Sequence, residues 1–425
     1  MTAESRPPLS TDARRVIVAQ ALRAFAYGFG ALLLGSTLKQ LGLDSTKVGL
    51  VLGAIVGGTI LASVAVARWS DRFGRRRSYI VLYIVLAGSG AVFALSRNLL
   101  VFIVVALTGT LSTDIVDNGP FTSLEQPMLA TELSRREAIR GFGLYNAIAT
   151  LAGSLGALAA GGPTLLRHFY PGVPANQRFF LLFIPVALAG AVVAWTLSSS
   201  VEAPGPAAAS SGPGRLGESR PTIVRLASLF AVDAFGGGFV VQAFVAYWFA
   251  VKFGTSIGVL GIMFFVIGIL QAVSYLAATR LAERFGLLST MVFTHLPSNL
   301  LLAAIAFAPT FSVAAILLFL RSLLSQMDVP TRQAYVMALV EPEERTAAAG
   351  YTNTARYLVR PLGPVLAGAG QGLFFGLPFL AAGTIKTIYD LVLWRWFRGV
   401  DLPEDTIDEV LGSGADLGIT RTDED

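Results

Sequence analysis

Twelve apolar runs divide the chain, near residues 16–38, 46–67, 79–95, 99–119, 142–166, 179–197, 222–250, 256–278, 287–308, 311–329, 350–371 and 373–397. Each approaches the roughly 20 residues a helix needs to cross about 30 Å of hydrocarbon. The fourth, tenth and eleventh are the least apolar, because they carry charges. A membrane barrel would instead show segments of about 10 residues with strict alternation. The pattern therefore predicts an all-α integral membrane protein with twelve transmembrane helices. The first run is too long for a cleavable signal peptide, contains Arg23, and is not followed by a small-residue cleavage site. All five tryptophans, Trp69, Trp195, Trp248, Trp394 and Trp396, fall near run ends, as an interfacial belt requires.

Composition agrees and narrows the chemistry. The 425-residue chain is 54% hydrophobic and 14% charged, against about 25% charged residues in ordinary soluble domains. It has no cysteine and two histidines, His168 and His295, so disulfides, thiolate sites and a histidine-based metal site are not expected. Neither a cofactor nor a metal is predicted. No Gly-Lys-Ser/Thr phosphate loop is present, which argues against ATP-driven pumping. The net charge of +5 comes from arginines in short turns, not from a basic face with aromatic neighbours, so no nucleic-acid partner is expected.

Those turns set the orientation. With both termini cytoplasmic, the inner tails and loops hold 20 of the 32 Lys and Arg residues, while Lys39, Lys47, Arg97, Arg167, Arg178 and Lys252 lie outside. The bias favours that topology and a multi-pass protein of the cell membrane. Residues 198–221 are a Pro, Gly, Ala and Ser-rich linker. The expected organisation is a tail at 1–15, a six-helix bundle at 16–197, the linker, a second bundle at 222–397 and an acidic tail at 398–425.

The halves align with each other. RAFAYGFG at 23–30 matches DAFGGGFV at 233–240, RWSDRFG at 68–74 matches RLAERFG at 280–286, and Asn-Gly-Pro at 118–120 matches Asp-Val-Pro at 328–330. A duplicated six-span unit is the usual build of a secondary transporter, with its binding site between the halves at mid-membrane.

The turn VARWSDRFGRRRSY, residues 66–79, carries five arginines and one aspartate. Here Asp71, Arg72, Gly74, Arg75 and Arg76 match the loop signature of the major facilitator superfamily, which the sequence resembles over its whole length in architecture. Ala67 and Trp69 replace the signature's Gly and Leu. The second-half echo keeps Glu283, Arg284 and Gly286 but has Leu287 in place of an arginine. The resemblance implies two pseudo-symmetric six-helix bundles and a cytoplasmic gate latched by this cluster in the outward-facing state. The family's arginine motif in the fourth span is not visible in LTGTLSTDIVDNGP, and GALAAGG at 156–162 only approaches its antiporter motif.

Charges inside spans cost roughly 2.5 to 3.5 kcal/mol at the bilayer centre, so they normally face a cavity or a partner. Asp114, Asp117 and Asn118 are spaced to share a helical face in the fourth span. Arg321, Ser325, Asp328 and Arg332 form a stripe in the tenth, and Asn353, Arg356 and Arg360 one in the eleventh. Arg23 and Asp233 occupy matching positions in the two halves and are expected to pair across the cavity. Proton uptake is assigned to Asp233 or a fourth-span aspartate. Lys386 and Asp390 are expected to neutralise each other, His295 to be a hydrogen-bonded packing residue, and Glu125 to belong to the gate with Arg135, Arg136 or Arg140. The glycines at 236–238 are read as close-packing positions, and Pro120 and Pro330 as kinks or span ends.

The sequence thus predicts a monomeric carrier of a small organic solute in a lipid bilayer, not an enzyme, working by alternating access with protons as the coupled partner. The buried arginines lean toward an anionic substrate, and the apolar walls would suit amphipathic drugs, so metabolite or drug efflux is included. The alternatives are a facilitative uniporter of organic anions and a non-transporting receptor or scaffold. Substrate, direction and coupling ion stay open.

Overall fold

The computed structural model describes residues 9–114, 119–132, 135–202, 216, 217, 219–341 and 344–400; the side chains of Asp71, residues 135–140, Gly143, Leu276, Thr279 and Thr346 are outside the description. Every regular element among the described residues is helical. The first half contains α1 (Thr11–Gln40), α2 (Ser45–Phe73), α3 (Arg75–Leu95), α4 (Leu99–Ala106), α5 (Thr122–Glu132), α6 (Arg135–Ala159), α7 (Gly162–Phe169) and α8 (Phe183–Trp195). The second contains α9 (Arg220–Gly238), α10 (Gln242–Phe253), α11 (Ile257–Phe285), α12 (Leu287–Ile305), α13 (Phe311–Leu324), α14 (Asp328–Ala338), α15 (Arg345–Val359), α16 (Leu362–Gln371) and α17 (Leu377–Phe397). Ten helical stretches among the described residues are long and apolar enough to cross a membrane, and the tenth run, expected to be weak, is one of them.

The sequence repeat has a local cause in the backbone. α2 and α11 are both 29 residues long, begin after a side-chain N-cap (Asp44 accepting from Lys47 N, Ser256 from Val259 N) and end at a glycine with positive φ, 97° at Gly74 and 82° at Gly286. Only glycine adopts that conformation without strain. Asp44 also pairs with Lys47 at 2.8 Å, and the lysine holds this exposed carboxyl below its usual range.

Four spans are broken at mid-length, and here the structure departs from the uniform helices expected. The fourth leaves α4 at Ala106 and resumes at Thr122 in α5, the seventh breaks between α9 and α10, the tenth between α13 and α14, and the eleventh between α15 and α16. In the fourth, Gly109 takes φ 71°, Thr108 Oγ1 bonds back to Val105 O, and the Ser112 hydroxyl bonds both the N and O of Asp114. Serine and threonine here offer the backbone an alternative to the helical ladder. Pro330 lies in the first turn of α14 and Pro361 is the N-cap residue of α16, where a missing N–H costs nothing.

Small residues set how closely the helices cross. A Cβ on Gly28 would stand 1.9 Å from Gly153 O, and one on Gly156 would stand 2.0 Å from Phe25 O, so α1 and α6 touch backbone to backbone. Gly238 and Gly363 make the same kind of contact between the breaks of the seventh and eleventh spans, which supports the packing role expected of the 236–238 glycines. Between the halves, the side remote from the described termini is sealed: Gly35 lies against Ala243 and Tyr247, Gly49 against Pro364 and Gly368, and Gly261 against Ala157. Lys39 Nζ donates to Ala250 O there, and Tyr247 to Leu43 O at 3.3 Å.

Gly28→Val will lower the thermal unfolding temperature in detergent, at a cost of about 1 to 3 kcal/mol for overpacking. Gly88→Ala, where nothing lies within 4 Å of the new Cβ, will be neutral or slightly stabilising. Equal behaviour of the two variants would refute the backbone contact between α1 and α6.

Candidate functional site

A cavity of about 370 Å³ lies on the terminus side of that seal, and its wall comes mainly from the second half. Five cationic side chains line it, Arg321, Arg332, Arg356, Arg360 and Lys386, against three aspartates, Asp114, Asp233 and Asp328. Apart from Lys386, these are seven of the ten positions expected to serve substrate or coupling. Of the other three, Asp117 and Asn118 lie outside the described residues, and Arg23 is placed elsewhere, as follows.

Arg23 does not pair with Asp233. It is buried inside the first half, where Nη2 meets Glu125 Oε2 at 2.6 Å and Nε meets Oε1 at 3.2 Å. The hydroxyls of Tyr79 and Tyr145 donate to the two oxygens of Glu125 at 2.7 and 2.6 Å. Tyr27 and Phe121 cover the guanidinium at 5.2 and 5.1 Å. Glu125 is 0% exposed; the side chains of Arg135, Arg136 and Arg140, its expected gate partners, lie outside the description. The physical reason is proximity within one bundle: α5 packs against α1 on its own side, and a bidentate Arg–carboxylate pair with further donors satisfies two charges that could not be buried singly.

Asp233 is the hub of the second half. Lys386 Nζ donates to its Oδ1; Arg332 stands at 3.6 Å, Arg356 at 3.9 Å and His295 Nε2 at 4.0 Å. Arg332 forms its tighter pair with Asp328 at 2.6 Å, as the four-residue spacing implied. Lys386 and Asp390 do not neutralise each other. Asp390 is instead hydrogen-bonded to His295 Nδ1 at 2.9 Å and accepts from Asn299 Nδ2 at 2.8 Å, because α12 is the helix packed against that face of α17. His295 is hydrogen-bonded as expected and lines the cavity.

Asp114 ties the halves together. With the fourth span broken it sits in an irregular segment and not on the helical face its spacing suggested. Its Oδ2 accepts from Arg360 Nη2 at 2.6 Å and its Oδ1 from Gln242 N at 3.0 Å, while Ala243 N donates to Thr113 O at 3.1 Å. Asp114 and Arg360 keep about a quarter of their side-chain surface exposed.

The expected gate residues sit at the terminus-side ends of α2, α3 and α11. The Glu202 carboxylate accepts from the backbone N of Arg75 and Arg76 at 2.6 and 3.0 Å, replacing the cap that Gly74 cannot supply. Arg76 Nη1 donates to Leu197 O at 3.0 Å. These bonds fasten α3 to the end of the first half. Arg72, Glu283 and Arg284 are exposed, Gly286 ends α11, and the side chain of Asp71 is outside the description.

Residues 16–364 and 226–413 match the Major Facilitator Superfamily, and the chain belongs to that superfamily. It is 24% identical over 430 residues to an uncharacterised membrane protein of Saccharomyces cerevisiae, covering 92% of this chain and 95% of the relative. Among solved structures, it resembles the inward open xylose transporter XylE of E. coli, with TM-score 0.69, 12% identity and coverage of 94% and 99%. It also resembles the human organic anion transporter TETRAN, with TM-score 0.60, 18% identity and coverage of 91% and 100%.

Sequence reasoning missed the tyrosine cage. Its signal was available: Tyr79 and Tyr83 are four apart, on one helical face, in a span that contains no charge. Glu125→Gln will leave Arg23 buried without a full counter-charge and lower stability by about 3 to 5 kcal/mol, read as thermal unfolding in detergent. Adding Arg23→Gln to that variant will recover part of the loss, and strictly additive losses would contradict the pairing.

Proposed function

We propose that the chain is a secondary transporter of a small organic anion, coupled to protons and working by alternating access. The observation that carries this reading is the cavity wall, where five cations face three aspartates. Arg321 makes it sharper: its Nε has no hydrogen-bond partner, and among the described residues it forms no ion pair. Burying such a guanidinium without an anion is costly, so a carboxylate or phosphate entering the cavity is the chemistry that completes it. The volume of about 370 Å³ is at the small end of ligand sites, which run from roughly 300 to 1,000 Å³. The similar structures include both a sugar transporter and an organic anion transporter, so the fold leaves the choice of substrate to the residues in the cavity.

With both termini in the cytoplasm, as the arginine bias favours, the sealed side faces outward and the cavity faces inward. Asp114 and Arg360 then form a mid-membrane link that must be remade as the halves rock. The cell membrane, two bundles at 16–197 and 222–397 and a monomeric carrier complete the proposal.

Counterflow in reconstituted vesicles, scanning carboxylates, phosphate esters, sugars and nucleosides, tests it. Exchange is expected with an organic anion. Arg321→Gln will raise KM about tenfold to a hundredfold, the range for a hydrogen bond to a charged group. Exchange of neutral sugars alone, or an unchanged KM in that variant, would sink the anion reading.

A further inference from the structure

On the terminus side, the end of the second half carries six arginines that no described acid neutralises. Arg220 and Arg225 stand at the start of α9, Arg280 and Arg284 near the end of α11, and Arg395 and Arg398 at the end of α17. All six are exposed, and none forms an ion pair among the described residues. What lies beneath brings them together: Ile223 and Leu226 of α9, Ala282 of α11, Leu287 of α12, and Leu393 and Phe397 of α17 belong to one buried apolar cluster. Of the described acids on this side of the second half, Glu344 is engaged by Gly217 N and the Ser219 hydroxyl, and Glu283 and Glu341 are exposed. α9 has no acid in its first turn, where a negative charge would complement the helix dipole and an arginine opposes it.

The complementary charge follows in the chain. Residues 401–425 lie outside the described residues; nine of them are Asp or Glu, and Arg421 alone is basic. Five of the acids, Asp401, Glu404, Asp405, Asp408 and Glu409, come first, and Ile407, Val410 and Leu411 recur among them at the spacing of an amphipathic helix, after Pro403 and before Gly412. The segment departs at Val400, three residues past Phe397 of the same apolar cluster. At about 3.3 to 3.6 Å per residue, residues 401–411 span at most about 40 Å, several times the roughly 8 to 10 Å between packed helix axes. So short a tether holds the acids near the arginines at millimolar effective concentration. Exposed ion pairs are weak singly, and here several act together.

We propose that this arginine face is the docking site of the chain's own acidic tail, with residues 401–411 lying across the ends of α9, α11 and α17. The inference does not depend on the carrier reading. Where the terminus side is cytoplasmic, the lipid surface is negative and repels an acidic segment, so the protein's arginines and not the bilayer supply its partner. The cavity lies on the same side of the seal. Docking and release therefore change the potential that a charged solute meets there.

The chain has no cysteine, so two spin labels can be placed in the full-length protein without removing a native thiol. Val224→Cys, exposed beside Arg225, and Ser413→Cys report the tail position in lipid nanodiscs. One narrow distance population is expected in zwitterionic lipid at low salt. Raising the ionic strength from about 0.1 M to about 1 M, which shortens the screening length from about 10 Å to about 3 Å, will abolish it. Glu404→Gln, Asp405→Asn, Asp408→Asn and Glu409→Gln together will do the same while leaving the helical bundle unaltered. Arg280→Gln with Arg284→Gln will lower the docked fraction about fivefold, the effect of losing two exposed ion pairs of ordinary strength. A broad distribution at low salt, or a narrow one indifferent to salt and to the tail substitutions, overturns the proposal. A docked fraction that responds to the tail substitutions but is unchanged in the arginine variant overturns the assignment to this face. Persistence of docking when anionic lipid is added supports it, whereas displacement by that lipid gives the arginines to headgroups and overturns it.

Discussion

Hydrocarbon neither solvates a charge nor bonds an open backbone group, and the architecture of this protein is organised around that constraint. Four spans are broken at mid-membrane, yet their ends are met from within the protein. The seventh-span break is served by Thr113 and Asp114 of the opposite half. The tenth is reached by Ser274, which accepts from Gln326 N at 3.2 Å, and the fourth by Tyr27, which donates to Thr110 O at 2.8 Å. Irregular backbone at this depth is tolerated where it lines a cavity or is buried in protein. The cavity is found where the breaks of the tenth and eleventh spans converge with Asp233.

Much of this fold is legible in sequence because the membrane imposes a coarse rule. Length and hydropathy locate the spans, and the matching glycines 74 and 286 mark turns that only glycine makes easily. The breaks were less legible because a helical projection assumes the helix it is meant to test. Asp114, Arg360 and Arg321 line the cavity, but spacing along an unbroken helix is not what brings them there. The TGTLST sequence around Gly109 carried the better signal, since its hydroxyls compete for backbone groups. Pairing was less legible still. Asp233 and Arg23 align, and charge complementarity made a pair attractive, but proximity in a bundle depends on which helices touch. Lys386 lies four residues from Asp390 and nevertheless bonds Asp233 on another helix.

The two halves have diverged in what they do with the same positions. Arg23 in α1 and Asp233 in α9 are equivalent by the repeat, and each meets an opposite charge in the fourth span of its own half, Glu125 in α5 and Arg332 in α14, although Asp233 bonds directly to Lys386 of α17. The polarity is inverted, and so is the completeness. In the first half the pair is bidentate, and two tyrosine hydroxyls satisfy the remaining capacity of Glu125. Such a cluster has nothing left to offer a ligand, and opening it would strand a charge. In the second half Asp233 is oversubscribed by several cations at unequal distances, and among the described residues Arg321 forms no ion pair. Small changes in charge there redistribute partners without leaving any group alone. On the proposed carrier reading, the first half is the firmer body against which the second rearranges, and the substrate chemistry lies in the second half although the fold itself is nearly symmetric.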